Sequence, residues 1–309
     1  MKLFDLHCDT PYRLFKDKKH LKNNDLHISL EKAKIFESYI QCAAVWSDSD
    51  LGNSDCLDFF YKASSNFERE AGGFIKTRTE LENAKQGFIL TVEDSRLLCG
   101  DINNLYSLYR RGVRVLTLLW GGKSIIGSSW NEKGPLSDFG KEVLEECFNI
   151  GIIPDISHAN DEAISYVLDC ARKRQKPVIA THSNSRSVHC HMRNLTDENA
   201  KRLAECGGII GISLFPPHLR GERAEISDII GHIDHYLNIL GTDSLCLGCD
   251  LDGITTTPEG ISHIGDLARL WDALSKKHGT DITESVFYNN AYNFFINNLP
   301  KDEPNNELR

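Results

Sequence analysis

GIIPDISHANDEAISYVLDCARKRQKPVIATHSNSRSVHCHMRN, residues 151–194, is the stretch around which the chain is organised. Residues 152–156 form a short apolar run that closes on Ser157 and His158. Residues 161–173 carry Ala163, Ile164, Val167, Leu168 and Ala171 at helical spacing, with Asp161 in position to cap the helix. Residues 177–180 are the next apolar run and close on Thr181, His182 and Ser183. The order strand, helix, strand predicts a parallel pair, so both histidines emerge at the carboxyl edge of one sheet. Barrels and open α/β sheets keep their chemistry at that edge. Two imidazoles side by side there point to a metal site.

The same logic extends outward. Residues 3–7 read as a strand ending in His7-Cys8-Asp9, and a period of two puts His7 and Asp9 on one side of the extended chain. One borderline and one hard donor at that spacing can grip a single cation. The apolar run 87–92 ends on Glu93, a carboxylate able to bridge two metals, and 245–249 ends on Asp250. Further strands are expected at 39–46, 74–77, 113–120 and 208–214, and helices at 56–70, 80–84, 102–110, 137–150, 195–206, 225–240, 266–277 and 282–299. The charged segment 17–34 reads as a surface excursion. The Gly- and Ser-rich segment 121–134 is too long for a simple turn and is a candidate substrate loop. With about eight strands alternating with helices and no break in composition, the expected fold is α/β, a single (β/α)8 TIM-like barrel over residues 1–309.

Composition narrows the function. A net charge of −9 and a pI near 5.7 speak against nucleic acid or an anionic membrane surface as partner. No 18-residue apolar run exists, the start MKLFDLHCDT enters a strand without a signal-like run, and the tail PKDEPNNELR is polar. The expectation is a cytoplasmic protein. Its ten cysteines, Cys246 and Cys249 of CLGC included, are expected to be reduced core thiols. His189 and His191 read as surface-loop residues, with a substitute imidazole for the site as the other reading.

Taken together, DLHCDT, RGVRVLTL, LSDFGKEVLEECFNIGIIPDISH, VIATHSNSRSV, RNLTDE and LGCDLDGI, in that order and spacing, resemble the membrane (renal) dipeptidases, the M19 metallopeptidases of the amidohydrolase-like barrels. The resemblance covers nearly the whole chain. It implies a zinc-dependent dipeptidase with two Zn²⁺ per chain, other divalent metals being acceptable to the same donors. His7 and Asp9 would hold one ion, His158 and His182 the other, and Glu93 would bridge them. A hydroxide shared by the metals would attack a dipeptide, Arg193 would bind the substrate carboxylate, and Asp250 would handle the catalytic proton. The chain departs from the family twice. Trp120 stands where the family often has a substrate-contacting histidine, and Asp94-Ser95 stand where glycines follow the bridging glutamate. Both bear on substrate and rate rather than on metal binding. The competing readings are a metal-dependent hydrolase of a related small amide in a specialised pathway, and a non-catalytic metal- or ligand-binding barrel. Monomer and homodimer both stay open.

Overall fold

The structure is a computed structural model that describes residues 1–48 and 51–302. Eight strands form one closed barrel in sequence order. They are β1 (Lys2–Cys8), β2 (Ser38–Val45), β3 (Gln86–Glu93), β4 (Val115–Thr117), β5 (Ile153–Asp155), β6 (Ile179–Ala180), β7 (Ile209–Ile212) and β8 (Leu245–Leu247). Every neighbouring pair is parallel, and Asp5 opposite Leu247 closes the ring. Parallel strands need crossover connections, here mostly helical, and these wrap the outside of the barrel.

Each strand gives one side chain to a layer inside the ring: Phe4, Ile40, Ile89, Val115, Ile153, Ile179, Ile209 and Cys246. Phe294, Phe295 and Leu299, from the end of the chain, join the same cluster and plug the amino-terminal end. Phe4 stacks on Phe295 at 5.1 Å between ring centroids. A second apolar layer lies between the barrel wall and the helices. With the floor filled, the interior of the ring opens towards the carboxyl end of the strands, where the polar strand-end residues lie.

Several expectations change. Residues 74–77 form no strand, because β2 and β3 pair directly along seven residues, Tyr39↔Gln86 to Val45↔Val92, and leave no slot between them. Segment 17–34 is not wholly a surface excursion: Leu21, Leu26, Ile28 and Ala33 are buried. The last helix is broken into α-helix Thr280–Glu284, a π-helical turn Ser285–Asn289 and α-helix Asn290–Asn298. The helix after β5 is capped by Asn160, whose Oδ1 accepts from the Ala163 amide at 2.9 Å, and not by Asp161. All ten cysteines are free thiols. Among the described residues no helix is long and apolar enough to cross a membrane.

Candidate metal centre

The strand ends bring His7, Asp9, Glu93, His158, His182 and Asp250 to one mouth. His7 Nε2 lies 3.3 Å from Asp9 Oδ2, 3.6 Å from Glu93 Oε1 and 3.9 Å from Asp250 Oδ1. The same Glu93 oxygen lies 2.9 Å from His158 Nε2 and 3.4 Å from His182 Nε2. Two ligand groups therefore share one carboxylate: His7, Asp9 and Glu93 on one side, Glu93, His158 and His182 on the other. His7, His182 and Asp250 form a third, overlapping group.

The tautomers decide whether this cluster suits cations. His158 Nδ1 is 3.0 Å from the Trp120 carbonyl, which can only accept, so Nδ1 carries the proton. His182 Nδ1 is 2.8 Å from Thr181 Oγ1, and that hydroxyl gives its own proton to Asp155 Oδ2 at 2.6 Å. His182 Nδ1 is thus a donor as well. Both Nε2 lone pairs then point inward, and the two nitrogens face each other at 2.9 Å. Lone pairs at that separation repel unless a cation lies between or beside them. His7 Nε2 and Asp9 Oδ1 are buried without a hydrogen-bond partner, an expensive arrangement that a divalent ion would relieve. The donor set of imidazoles and carboxylates fits zinc or a similar ion.

Asp155 is the anchor beneath. Besides Thr181 Oγ1 it accepts from Thr117 Oγ1 at 2.6 Å, and from the amides of Ser157 and Thr181 at 2.9 Å each. Such outer carboxylates fix ligand orientation and ring tautomer. The barrel makes room for this chain through glycines. A Cβ on Gly211 would meet the Thr181 carbonyl oxygen at 2.0 Å, and one on Gly248 would meet it at 1.7 Å. His158, Asp250 and Asp252 hold left-handed backbone angles, φ 67°, 59° and 69°. Non-glycine residues adopt these at a cost, as happens where side-chain direction matters.

A cavity of about 240 Å³ opens over the cluster. That is below the ~300–1,000 Å³ usual for drug-sized ligands and fits a very small substrate. Arg193 lines it, buried, with Nε and Nη2 lacking partners. Burial lowers the guanidinium to about 10, while Glu93 and Asp250 act in the opposite direction, so it is charged at neutral pH. Trp120 also lines the cavity. It packs on Trp46 at 5.0 Å between ring centroids and lies 6.1 Å from His158. No residue of 121–134 is among the cavity's lining. This loop instead supports His158, whose carbonyl accepts from the Trp130 amide at 2.8 Å. The lining also includes Tyr12, Trp46, Phe215 and His218, which sequence reasoning missed. His191 sits half-buried with its ring 4.7 Å from that of His218, and neither it nor His189 lines the cavity. The extra imidazole of the pocket is His218.

The family model described as membrane dipeptidase (peptidase family M19) matches residues 1–293. The chain belongs to this family. It is 31% identical over 188 residues to an uncharacterized protein of the pqqA 5′ region in Klebsiella pneumoniae, 57% of this chain and 68% of that one. It is 30% identical over 207 residues to an uncharacterized dipeptidase of Schizosaccharomyces pombe, covering 63% of this chain and 49% of that one. With dipeptidase 3 of Rattus norvegicus it shares 26% identity over 309 residues, 89% of this chain and 60% of the rat protein. The chain thus spans about half to two thirds of these relatives' length. A metallo peptidase from Rhodobacter sphaeroides, crystallised with a phosphinate mimic of the dipeptide L-Ala-D-Ala, superposes with a TM-score of 0.86 at 22% identity. The match covers 97% of this chain and 99% of that one, a likeness of fold.

The charges in this M19 centre carry a first prediction. Burial, with Asp9 adding to it, raises the Glu93 carboxyl well above the usual carboxylate range. Burial opposes charge on His7, yet Glu93, Asp9 and Asp250 outweigh it and bring the imidazole up to about 10. These groups titrate together, and between them the metal-free centre holds protons at neutral pH. His158 and His182 are pushed down by burial first and are neutral. Incoming cations must displace the retained protons, so metal affinity should rise with pH through the neutral range and towards about 10. Calorimetric titration of the metal-free protein in buffers of different ionisation enthalpy should show proton release. A binding heat that does not depend on the buffer would contradict this.

Proposed function

We propose that this chain is a zinc-dependent dipeptidase that hydrolyses the peptide bond of very small peptides. The observation that carries the reading is the inward convergence of unpaired donor atoms on Glu93 beside a buried, unpaired Arg193 in a cavity of about 240 Å³. His7, Asp9 and Glu93 would hold one ion, and Glu93, His158 and His182 the other. Two such ions supply Lewis acidity and a water acidic enough to be a nucleophile near neutral pH.

The residues divide the remaining work. Arg193 offers Nε and Nη2 to the substrate's terminal carboxylate, a bidentate contact that favours peptides ending next to the scissile bond. Asp250, 3.9 Å from His7 Nε2, is pushed up by burial to about 7 against the pull of His7. Its carboxylate takes the proton of the attacking water and returns it to the departing amine nitrogen. Asp155 and Thr181 hold His182 in its tautomer, and the Trp120 carbonyl does the same for His158. The aromatic walls narrow the access of bulk water.

The test is turnover of a dipeptide panel by zinc-loaded protein, with and without chelator. Hydrolysis that chelation abolishes and added zinc restores is expected. A metal-replete protein that cleaves no dipeptide in the panel would sink the proposal, and would favour the small-amide hydrolase or the binding barrel.

A further inference from the structure

Tyr12, Trp46 and Trp120 form a continuous aromatic wall of the cavity. Tyr12 meets Trp46 edge-on with 5.0 Å between ring centroids at 73°, and Trp46 meets Trp120 at 5.0 Å and 48°. All three are only half-buried and all three line the cavity, so apolar ring surface is left for a ligand to cover. The wall is braced from behind. Arg96 pairs with Asp94 (Nε to Oδ2, 3.0 Å) and donates through Nη2 to the carbonyls of Ser47 and Asp48, the two residues after Trp46. Asp48 in turn accepts from Tyr12 Oη at 2.8 Å and from Lys16 Nζ at 2.6 Å. Asp94 holds a left-handed backbone, φ 79°, to make this brace. A pre-organised wall binds without the entropy cost of ordering its rings.

Topology says which end of a substrate meets it. In a closed ring of eight strands in sequence order, β2 and β6 stand across from each other. Trp46 follows β2 directly, and Arg193 lies in the connection after β6. The bridging Glu93 ends β3, between Trp46 and Trp120 in the ring. A dipeptide whose carboxylate is held at Arg193 therefore crosses the metal cluster with its amino-terminal residue towards the aromatic wall.

We infer that Tyr12, Trp46 and Trp120 form a side-chain subsite that selects dipeptides with an aromatic or large apolar amino-terminal residue. The inference rests on the dipeptidase reading above. Rings in offset or edge contact gain beyond area burial, and here that gain corresponds to roughly three- to tenfold in rate. Acidic side chains would lose hydration against the electron-rich ring faces without finding a partner.

The experiment measures kcat/KM of zinc-loaded protein on Phe-Ala, Leu-Ala, Asp-Ala and Ala-Ala, and on Ala-Phe as the reversed control. Phe-Ala and Leu-Ala should exceed Ala-Ala by roughly three- to tenfold, Asp-Ala should fall below it, and Ala-Phe should show no such gain. In Trp120→Ala the ratio of Phe-Ala to Ala-Ala should collapse towards one, mainly through KM, and Trp120→Phe should keep most of it. Parent protein that cleaves Ala-Ala as well as Phe-Ala overturns the subsite, as does Trp120→Ala with an unchanged ratio. The comparison in the parent needs no variant to fold. Absence of turnover on every dipeptide removes the dipeptidase reading, and the subsite falls with it; turnover without discrimination removes the subsite alone.

Discussion

Under the zinc-dipeptidase proposal, Glu93→Gln is expected to lower bound zinc from two equivalents to one or fewer and to remove nearly all activity. A single oxygen, Oε1, faces His158, His182 and His7 at 2.9, 3.4 and 3.6 Å. Both ligand groups that share Glu93 lose their common anion when it becomes an amide, which is neutral and has only one acceptor oxygen. The expected drop in kcat/KM is on the order of 10²–10³, the scale of losing a principal electrostatic contact in a closed site. The side chain keeps its volume, so the barrel should stay intact. Ligand linkage gives a readout separate from rate. Zinc should raise the melting temperature of the parent clearly and that of the variant much less. Elemental analysis is the deciding measurement, and two equivalents retained with parental turnover would remove Glu93 from the bridge.

The histidines and acids of this centre were legible because β strands have short, apolar sequences and stop on polar residues. GFILTV before Glu93, GIIPDIS before His158 and PVIAT before His182 all announce a strand end. The aromatic wall gives a weaker signal: Trp46 ends its strand in the same way, YIQCAAVW, but an apolar residue at a strand end does not stand out from the apolar run before it. Phe215 and His218 carry no local signal. They meet residues some two hundred positions away only because β8 pairs with β1 and closes the ring. Trp120 was legible as a departure from family pattern, but not its contact with Trp46, which depends on β2 and β4 flanking β3. The misread strand at 74–77 has suitable residues in FIKT, yet pairing is a global matter, and β3 already occupies the edge of β2. Segment 17–34 misled through its lysines and aspartates. They are solvated while Leu21, Leu26 and Ile28, spaced between them, pack inward.

Asp250→Asn should separate proton transfer from metal binding. Asp250 follows β8, with a left-handed backbone, φ 59°, that sets its direction, and its Oδ1 lies 3.9 Å from His7 Nε2. Burial brings its carboxyl to about 7, where a base can take a proton and give it back at neutral pH. Asparagine fills the same space but cannot shuttle a proton. Loss of kcat by about 10²–10⁴ is expected, the usual worth of general acid–base catalysis, with zinc content unchanged. The sign of the pH effect follows from the role. The carboxylate form is the active one, so the parent's kcat/KM should fall as pH drops through this ionisation. Bound cations favour the carboxylate, which places that acid limb at or below about 7. The limb should vanish in the variant and leave a flat residual rate. Asp250 also belongs to the overlapping group with His7 and His182, which gives the alternative a distinct signature. Were Asp250 a ligand, zinc and activity would be lost together, and excess zinc would restore part of the rate. Full metal content with near-parental kcat would instead show that the proton travels by another route.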